Sequence, residues 1–230
     1  MTKEWTIHNK IIQIHYQQSH DKNLPVVILN TYGNEGQDVF HQCCLLHSQP
    51  FILVSISHLD WNNDLTPWYA EGLNHQDNHF LGHANDYIEE LTHIIIPQAC
   101  DYIKNELHHN ILDYTIAGYS LAGVFAIYTA YKTDIFSKVV SASGSVWFPQ
   151  FIDFVKQNTI SSHIQKMYFS LGNKENKTRN PLLASVKDKT IELEHIYHQQ
   201  GIQTVYHEND GNHFHDATLR MAQGIYWILK

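Results

Sequence analysis

Thr115-Ile116-Ala117-Gly118-Tyr119-Ser120-Leu121-Ala122-Gly123-Val124-Phe125-Ala126 is the stretch on which the fold turns. Tyr114 to Ala117 form an apolar run that predicts a buried strand, and Val124, Phe125, Ile127 and Tyr128 open a helical pattern. Between them a turn of small residues carries Ser120. Strand, glycine-flanked serine and helix make the layout of a nucleophile elbow. A serine at the apex of so sharp a turn needs a strained backbone, and small neighbours let strand and helix approach each other. The hydroxyl then stands beside free N–H groups at a helix N-terminus, which can stabilise an oxyanion. The usual pattern is Gly-x-Ser-x-Gly; here Ala122 holds the fifth position and Gly123 follows one residue later.

Working outward, Ile12, Ile14 and Tyr16 alternate with Gln13 and His15, which predicts a half-buried strand after a first one at Trp5 to His8. Asp21-Lys22-Asn23 reads as a turn between hairpin partners. Leu24 to Asn30 and Phe51 to Ile56 are apolar throughout, as central strands are. Asn85 to Leu107 has helical spacing with Pro97 inside it, so a kink or break is expected near Ile96. Further strands are expected at Val139 to Ala142, Lys166 to Leu171 and Ile202 to His207, with helices at Pro181 to Gln200 and Phe214 to Leu229. Apolar strands alternating with helices imply an α/β fold: a mostly parallel central sheet with helices on both faces and an antiparallel N-terminal hairpin. We expect one domain over residues 1–230, with a loop or lid segment at about 57–82. That segment holds Trp61, Asp64, Pro67, Trp68 and Tyr69, and a long aromatic loop is expected to wall a pocket or to anchor itself to the body.

Composition narrows the function classes. A net charge of −8 argues against nucleic acid or an anionic membrane as partner. No segment reaches the ~18 apolar residues of a membrane span. Three cysteines, Cys43, Cys44 and Cys100, form no disulfide framework, and the first twenty residues lack a signal-peptide core. A cytoplasmic protein is therefore expected. There is no His-Glu-x-x-His, no Cys-x-x-Cys pair and no phosphate loop, so neither a metal nor a cofactor is expected. The spacing His213-x-His215 has no evident third ligand.

In an open parallel sheet, reactive groups collect at the carboxyl ends of the strands. The strand after the elbow's neighbour ends in Gly172-Asn173-Lys174-Glu175, and the next ends in Glu208-Asn209-Asp210-Gly211-Asn212-His213. Serine, acid and histidine then follow each other in the chain order of α/β-hydrolase triads. Ser120 would be the nucleophile, His213 its base and later the acid for the leaving alcohol, and Glu175 the carboxylate that orients the imidazole. Asp210 and Glu208 compete for the acid, and His215 for the base. The oxyanion would lie between the backbone N–H of Leu121 and that of Tyr32. Trp61, Trp68 and Trp147 are candidates for an aromatic substrate pocket.

Four segments, Gly118-Tyr119-Ser120-Leu121-Ala122-Gly123, Ser143-Gly144-Ser145-Val146-Trp147, Gly172-Asn173-Lys174-Glu175 and Gly211-Asn212-His213-Phe214, resemble an esterase family of α/β hydrolases. That family includes the esterase D-like and enterochelin-esterase-like serine hydrolases. Asp64-Leu65-Thr66-Pro67-Trp68 resembles the Asp-x-x-Pro segment of its siderophore-esterase branch, which adds Asp64 to the pocket candidates. The arginine often seen before that segment is replaced by Trp61-Asn62-Asn63. The resemblance implies the α/β-hydrolase fold and hydrolysis of a small-molecule carboxylic ester, siderophore-type esters among the options, through an acyl-enzyme on Ser120. A non-catalytic ligand-binding protein of the same fold, or a thioesterase or peptidase with the same triad, remain the alternatives. The oligomeric state is left open.

Overall fold

The computed structural model describes residues 2–73 and 77–230. Eight strands form one sheet: β1 (Thr2–Ile7), β2 (Lys10–Tyr16), β3 (Asn23–Asn30), β4 (Ile52–Ser57), β5 (Asn110–Tyr119), β6 (Lys138–Ala142), β7 (Lys166–Gly172) and β8 (Gln203–Asn209). Their order across the sheet is β1-β2-β4-β3-β5-β6-β7-β8. β1 and β2 are an antiparallel hairpin, β2 pairs antiparallel with β4, and every other pairing is parallel.

The Asp21-Lys22-Asn23 turn does not join hairpin partners, because β4 lies between β2 and β3. The reason lies in β3 itself, which is buried from Leu24 to Asn30. A strand with both faces covered takes a parallel neighbour on each edge. β4 and β5 fill those edges, and β2 is displaced to the outer edge of β4.

Alternation along β3 divides the core. Val26 and Ile28 belong to the larger cluster, while Val27 and Leu29 face the other side with Val39, Cys43, Met221 and Ile225. That second face is covered by α1 (Gly36–Leu45) and α9 (Ala217–Leu229), which lie side by side. Between β4 and β5 run α2 (Trp61–Asp64), α3 (Ala84–Glu90) and α4 (Ile96–Asn105). A π-helical turn over Leu91–Ile95 joins the last two, and Pro97 sits in the first turn of α4. The break expected near Ile96 therefore takes the form of a widened turn, where the missing proline N–H leaves the α-helical ladder incomplete. The remaining helices are α5 (Leu121–Thr129), α6 (Phe151–Gln157), α7 (Pro181–Ala184) and α8 (Val186–Gln199).

Of the 57–82 stretch, residues 74–76 lie outside the described residues. The rest is closely tied to the body: Leu65, Thr66, Pro67, Ala70 and Phe80 are buried, and Ala70 and Phe80 form an isolated bridge.

One buried histidine makes a pH-sensitive contribution to stability. His15 is 1% exposed, its Nε2 lies 3.0 Å from Ser55 Oγ, and burial pushes its pKa down to about 4 from an ordinary 6.5. The imidazole is neutral in the fold and protonates more readily in the unfolded chain. Stability is therefore full above pH 6.5 and falls by about 3 kcal/mol as pH drops towards 4. His15→Gln should flatten the dependence of the urea midpoint on pH across that window.

Candidate active site

β5 ends at Tyr119 and α5 begins at Leu121, so Ser120 alone makes the turn. Its backbone sits at φ 59° and ψ −124°, a region that L-residues rarely adopt. Gly118 has no room for a side chain: a Cβ there would collide with the backbone carbonyl and the methyl of Ala122. A Cβ on Gly123 would come within 2.9 Å of Gly144 Cα and of Ser141 Oγ. The close approach to the β6 side thus falls on residue 123, and Gly118 makes the room that Ala122 fills. This accounts for the shifted second glycine. Gly118→Ala should cost about 3 kcal/mol through overpacking, whereas Ala122→Gly should cost about 1 kcal/mol through helix propensity. Urea unfolding midpoints of the two variants check this.

The segments after β5, β7 and β8 meet at Ser120. His213, four residues beyond β8, places Nε2 at 3.0 Å from Ser120 Oγ and Nδ1 at 2.6 Å from Glu175 Oε2. Glu175, three residues beyond β7, is almost wholly buried, with 4% of its side chain exposed. Burial works to raise its pKa, but the bond to His213, the charge of that ring, the Gly172 N–H at 2.6 Å and the Ser143 hydroxyl at 2.8 Å together hold it below the ordinary carboxylate value. The acid is therefore ionised at neutral pH, as an orienting carboxylate must be.

The rival groups are engaged elsewhere. Asp210 Oδ1 accepts from Asn173 Nδ2 at 2.9 Å, Glu208 pairs with Lys187, and His215 lies on the exposed side against Asp216 at 3.1 Å.

A buried arginine that sequence reading passed over braces the Ser120–His213–Glu175 cluster. Arg220, on α9, is 1% exposed. Its Nη1 donates to Glu175 Oε1 at 3.1 Å, to Tyr119 Oη at 3.2 Å and to Ser143 Oγ at 3.3 Å, and its Nη2 donates to the Asp210 carbonyl at 2.7 Å. Tyr119 Oη in turn donates to the His213 carbonyl at 2.7 Å. One guanidinium thus ties the carboxylate, the histidine loop and the strand before Ser120. The signal was present in the chain: Arg220 falls beside Ala217 and Met221 on the inward stripe of an amphipathic helix, where a charge demands a partner. Ser145 was also unassigned; its Oγ lies 3.3 Å from Ser120 Oγ and its N–H donates to the Ser120 carbonyl.

The predicted oxyanion donors come from two elements, the start of α5 and the loop after β3. Leu121 N–H is the first amide of α5, one of the four that have no partner within a helix. In the loop after β3, Thr31 N–H donates to the Ile56 carbonyl and Gly33 N–H to Glu35 Oε2, whereas Tyr32 N–H makes no hydrogen bond among the described residues. Tyr32, Ser120 and His213 all line a cavity of about 380 Å³. It opens where the chain leaves β3 first towards β4 and then, on β3's other edge, to β5. Such a reversal of strand order is where open α/β sheets bind ligands.

The pocket candidates divide. Trp61 lines the cavity and sets its ring edge-on to Tyr32, with centroids 5.3 Å apart. Asp64, Trp68 and Trp147 do not line it. Asp64 pairs with Lys10 at 3.2 Å. Trp68 donates from Nε1 to the Pro149 carbonyl and packs among Tyr128, Phe148, Phe151 and Phe154. Trp147 is 8% exposed against Phe80 and Phe148. These two indoles anchor the loop to the body because an aromatic cluster offers them more burial than the cavity mouth does. Among the described residues no group of three or more His, Cys, Asp or Glu side chains could hold a metal ion, and no helix is long and apolar enough to cross a membrane.

The siderophore hydrolase EstA from Aspergillus nidulans superposes on 99% of this chain and 94% of its own, with a TM-score of 0.74 and 16% identity. An IroE-like serine hydrolase from Shewanella oneidensis matches 99% of this chain and 79% of its own, with a TM-score of 0.75 and 16% identity. The chain has the α/β-hydrolase fold. The enterobactin esterase FES from Shigella flexneri shares it at a TM-score of 0.66 and 15% identity, over 99% of this chain and 58% of that one. In sequence, the uncharacterized protein YbbA of Bacillus subtilis (strain 168) is 21% identical over 182 residues, 74% of this chain and 71% of that protein. No protein-family model matches.

Proposed function

We propose that this α/β-hydrolase-fold protein is a serine hydrolase that cleaves small-molecule carboxylic esters through an acyl-enzyme on Ser120. The observation that carries this is the unbroken hydrogen-bond chain from Ser120 Oγ through His213 to Glu175, at 3.0 and 2.6 Å, opening onto a cavity. The names of the similar structures, siderophore hydrolases and a serine hydrolase, support it.

In this reading Ser120 Oγ attacks the ester carbonyl carbon while His213 Nε2 takes its proton. The tetrahedral oxyanion is held by the N–H groups of Leu121 and Tyr32. It collapses by breaking the bond to the alcohol oxygen, which receives the proton from His213. Water, deprotonated by the same imidazole, then attacks the acyl-enzyme, and the carboxylic acid leaves as Ser120 regains its proton. Glu175 keeps Nδ1 protonated and Nε2 facing the serine, and stabilises the imidazolium formed in each half-reaction.

A fluorophosphonate probe should label the wild type at one serine and leave Ser120→Ala unlabelled. Equal labelling of the two, or none of either, would sink the proposal and favour a ligand-binding protein of the same fold. Parallel ester, thioester and peptide substrates at equal concentration separate the esterase from its close chemical alternatives.

A further inference from the structure

The walls of the cavity carry a charge pattern that bears on the substrate. Among the described residues no lysine or arginine lines it, and Glu35 is the one acidic residue that does. Glu35 is positioned by accepting the Gly33 N–H on Oε2 at 2.8 Å, so its carboxylate stays at the wall near the loop that holds Tyr32. Two buried or half-buried cations of the fold are already engaged. Arg220 is turned towards Glu175, Tyr119 and Ser143, and Lys10 is tied to Asp64 at 3.2 Å and Glu90 at 2.9 Å. The rest of the wall is mostly apolar or aromatic, with Asn30, Thr31 and Thr218 as its neutral polar members beside Ser120 and His213. Leu29, Val39 and Met221 form its inner part, Trp61 leans on Tyr32, and Tyr32 and Phe214 stand at the mouth with 74% and 87% of their surface exposed. Exposed aromatics at a pocket rim are an apolar landing surface that a monomeric protein otherwise avoids.

We infer that the part of the ester seated in this cavity is an uncharged hydrocarbon or aryl group, and that Glu35 rejects substrates bearing an anion there. The inference rests on the serine-hydrolase reading and narrows its substrate class. A carboxylate in this cavity would lose most of its water, find only neutral donors such as Asn30 and Thr218 and no lysine or arginine, and face Glu35 across a mostly apolar space. A neutral alkyl or aryl group gains by covering Leu29, Val39 and Trp61.

The test compares matched pairs that vary each half of the ester. In the acyl half, 4-nitrophenyl hexanoate is set against the 4-nitrophenyl half-ester of adipic acid. In the alcohol half, phenyl acetate is set against 4-carboxyphenyl acetate. kcat/KM is measured at low ionic strength for the wild type and for Glu35→Gln, which keeps an acceptor for the Gly33 N–H. In at least one half the neutral substrate should be preferred about tenfold or more, and Glu35→Gln should shrink that ratio severalfold. The ratio cancels any general effect of the substitution on turnover. Ratios within about threefold in both halves, preference for the anion, or a ratio untouched by Glu35→Gln would overturn the inference. Fluorophosphonate labelling is run alongside. A labelled Ser120 with no neutral preference defeats this inference alone, whereas an unlabelled Ser120 defeats the hydrolase reading and this inference with it.

Discussion

Replacing His213 with alanine should lower ester turnover on the order of 10⁴- to 10⁶-fold, and Ser120→Ala should cost about as much. The double variant should be little worse than either single one. The two side chains act as one unit in this reading, since a serine without its base is a weak nucleophile and a base without its serine has nothing to activate. What survives should come from the amides of Leu121 and Tyr32 and from the apolar part of the cavity wall, Leu29, Val39 and Met221, which both substitutions leave in place. Additive losses, with the double variant near the product of the two, would mean that the 3.0 Å contact between His213 Nε2 and Ser120 Oγ is not the reacting pair. Glu175→Gln keeps the shape but loses the charge, and should fall between the wild type and these variants. Single-turnover acylation, read as release of nitrophenol, gives the relevant rate.

How far the site could be read from the chain depended on the kind of contact. That Ser120, Glu175 and His213 would meet was legible because each lies one to four residues past a strand, and parallel strands deliver their ends to one edge of the sheet. The elbow glycines were legible as small residues, but the shift to Gly123 is explained by Ser141 at the end of β6 and Gly144 in the loop after it, both remote in sequence. Strand existence followed from apolar runs, whereas the insertion of β4 between β2 and β3 depends on which edges a doubly buried β3 can offer. Trp61, Trp68 and Trp147 carry the same local signal, an aromatic in a loop, and only the tertiary packing sends one to the cavity and two to the aromatic cluster. Arg220 was hidden differently. Its four acceptors come from β5, the loop after β6, the loop after β7 and the histidine loop, so no spacing along the chain announces them.

Arg220→Met should lower stability by about 3–5 kcal/mol, because it takes the guanidinium away from the buried Glu175 carboxylate, which keeps only His213, the Gly172 N–H and the Ser143 hydroxyl. In a chain of this size that is a fall in Tm of about 10 °C. The Tyr119 hydroxyl and the Asp210 carbonyl also lose a donor, so the histidine loop is held less firmly. Arg220→Lys restores the charge but not the reach, since one ammonium cannot serve Nη1's three acceptors and the carbonyl taken by Nη2. It should fall between the wild type and methionine. The sign of the pH effect follows from Glu175. Its carboxyl is held below the ordinary value in the fold, so the stability it contributes is present above its unfolded pKa and is lost as pH falls through the lower, folded one. Taking away a neighbouring cation raises that folded pKa. In Arg220→Met the acid-side loss of stability should therefore begin at higher pH, and any acid limb of kcat due to Glu175 should move the same way. A merely structural arginine would lower Tm without moving either curve. In the double variant Arg220→Met with Glu175→Gln, where no buried charge is stranded, part of the lost stability should return. The double-mutant cycle gives the coupling, and a value within about 0.5 kcal/mol of zero would show that the guanidinium acts on the strand and loop it ties together, not on the acid.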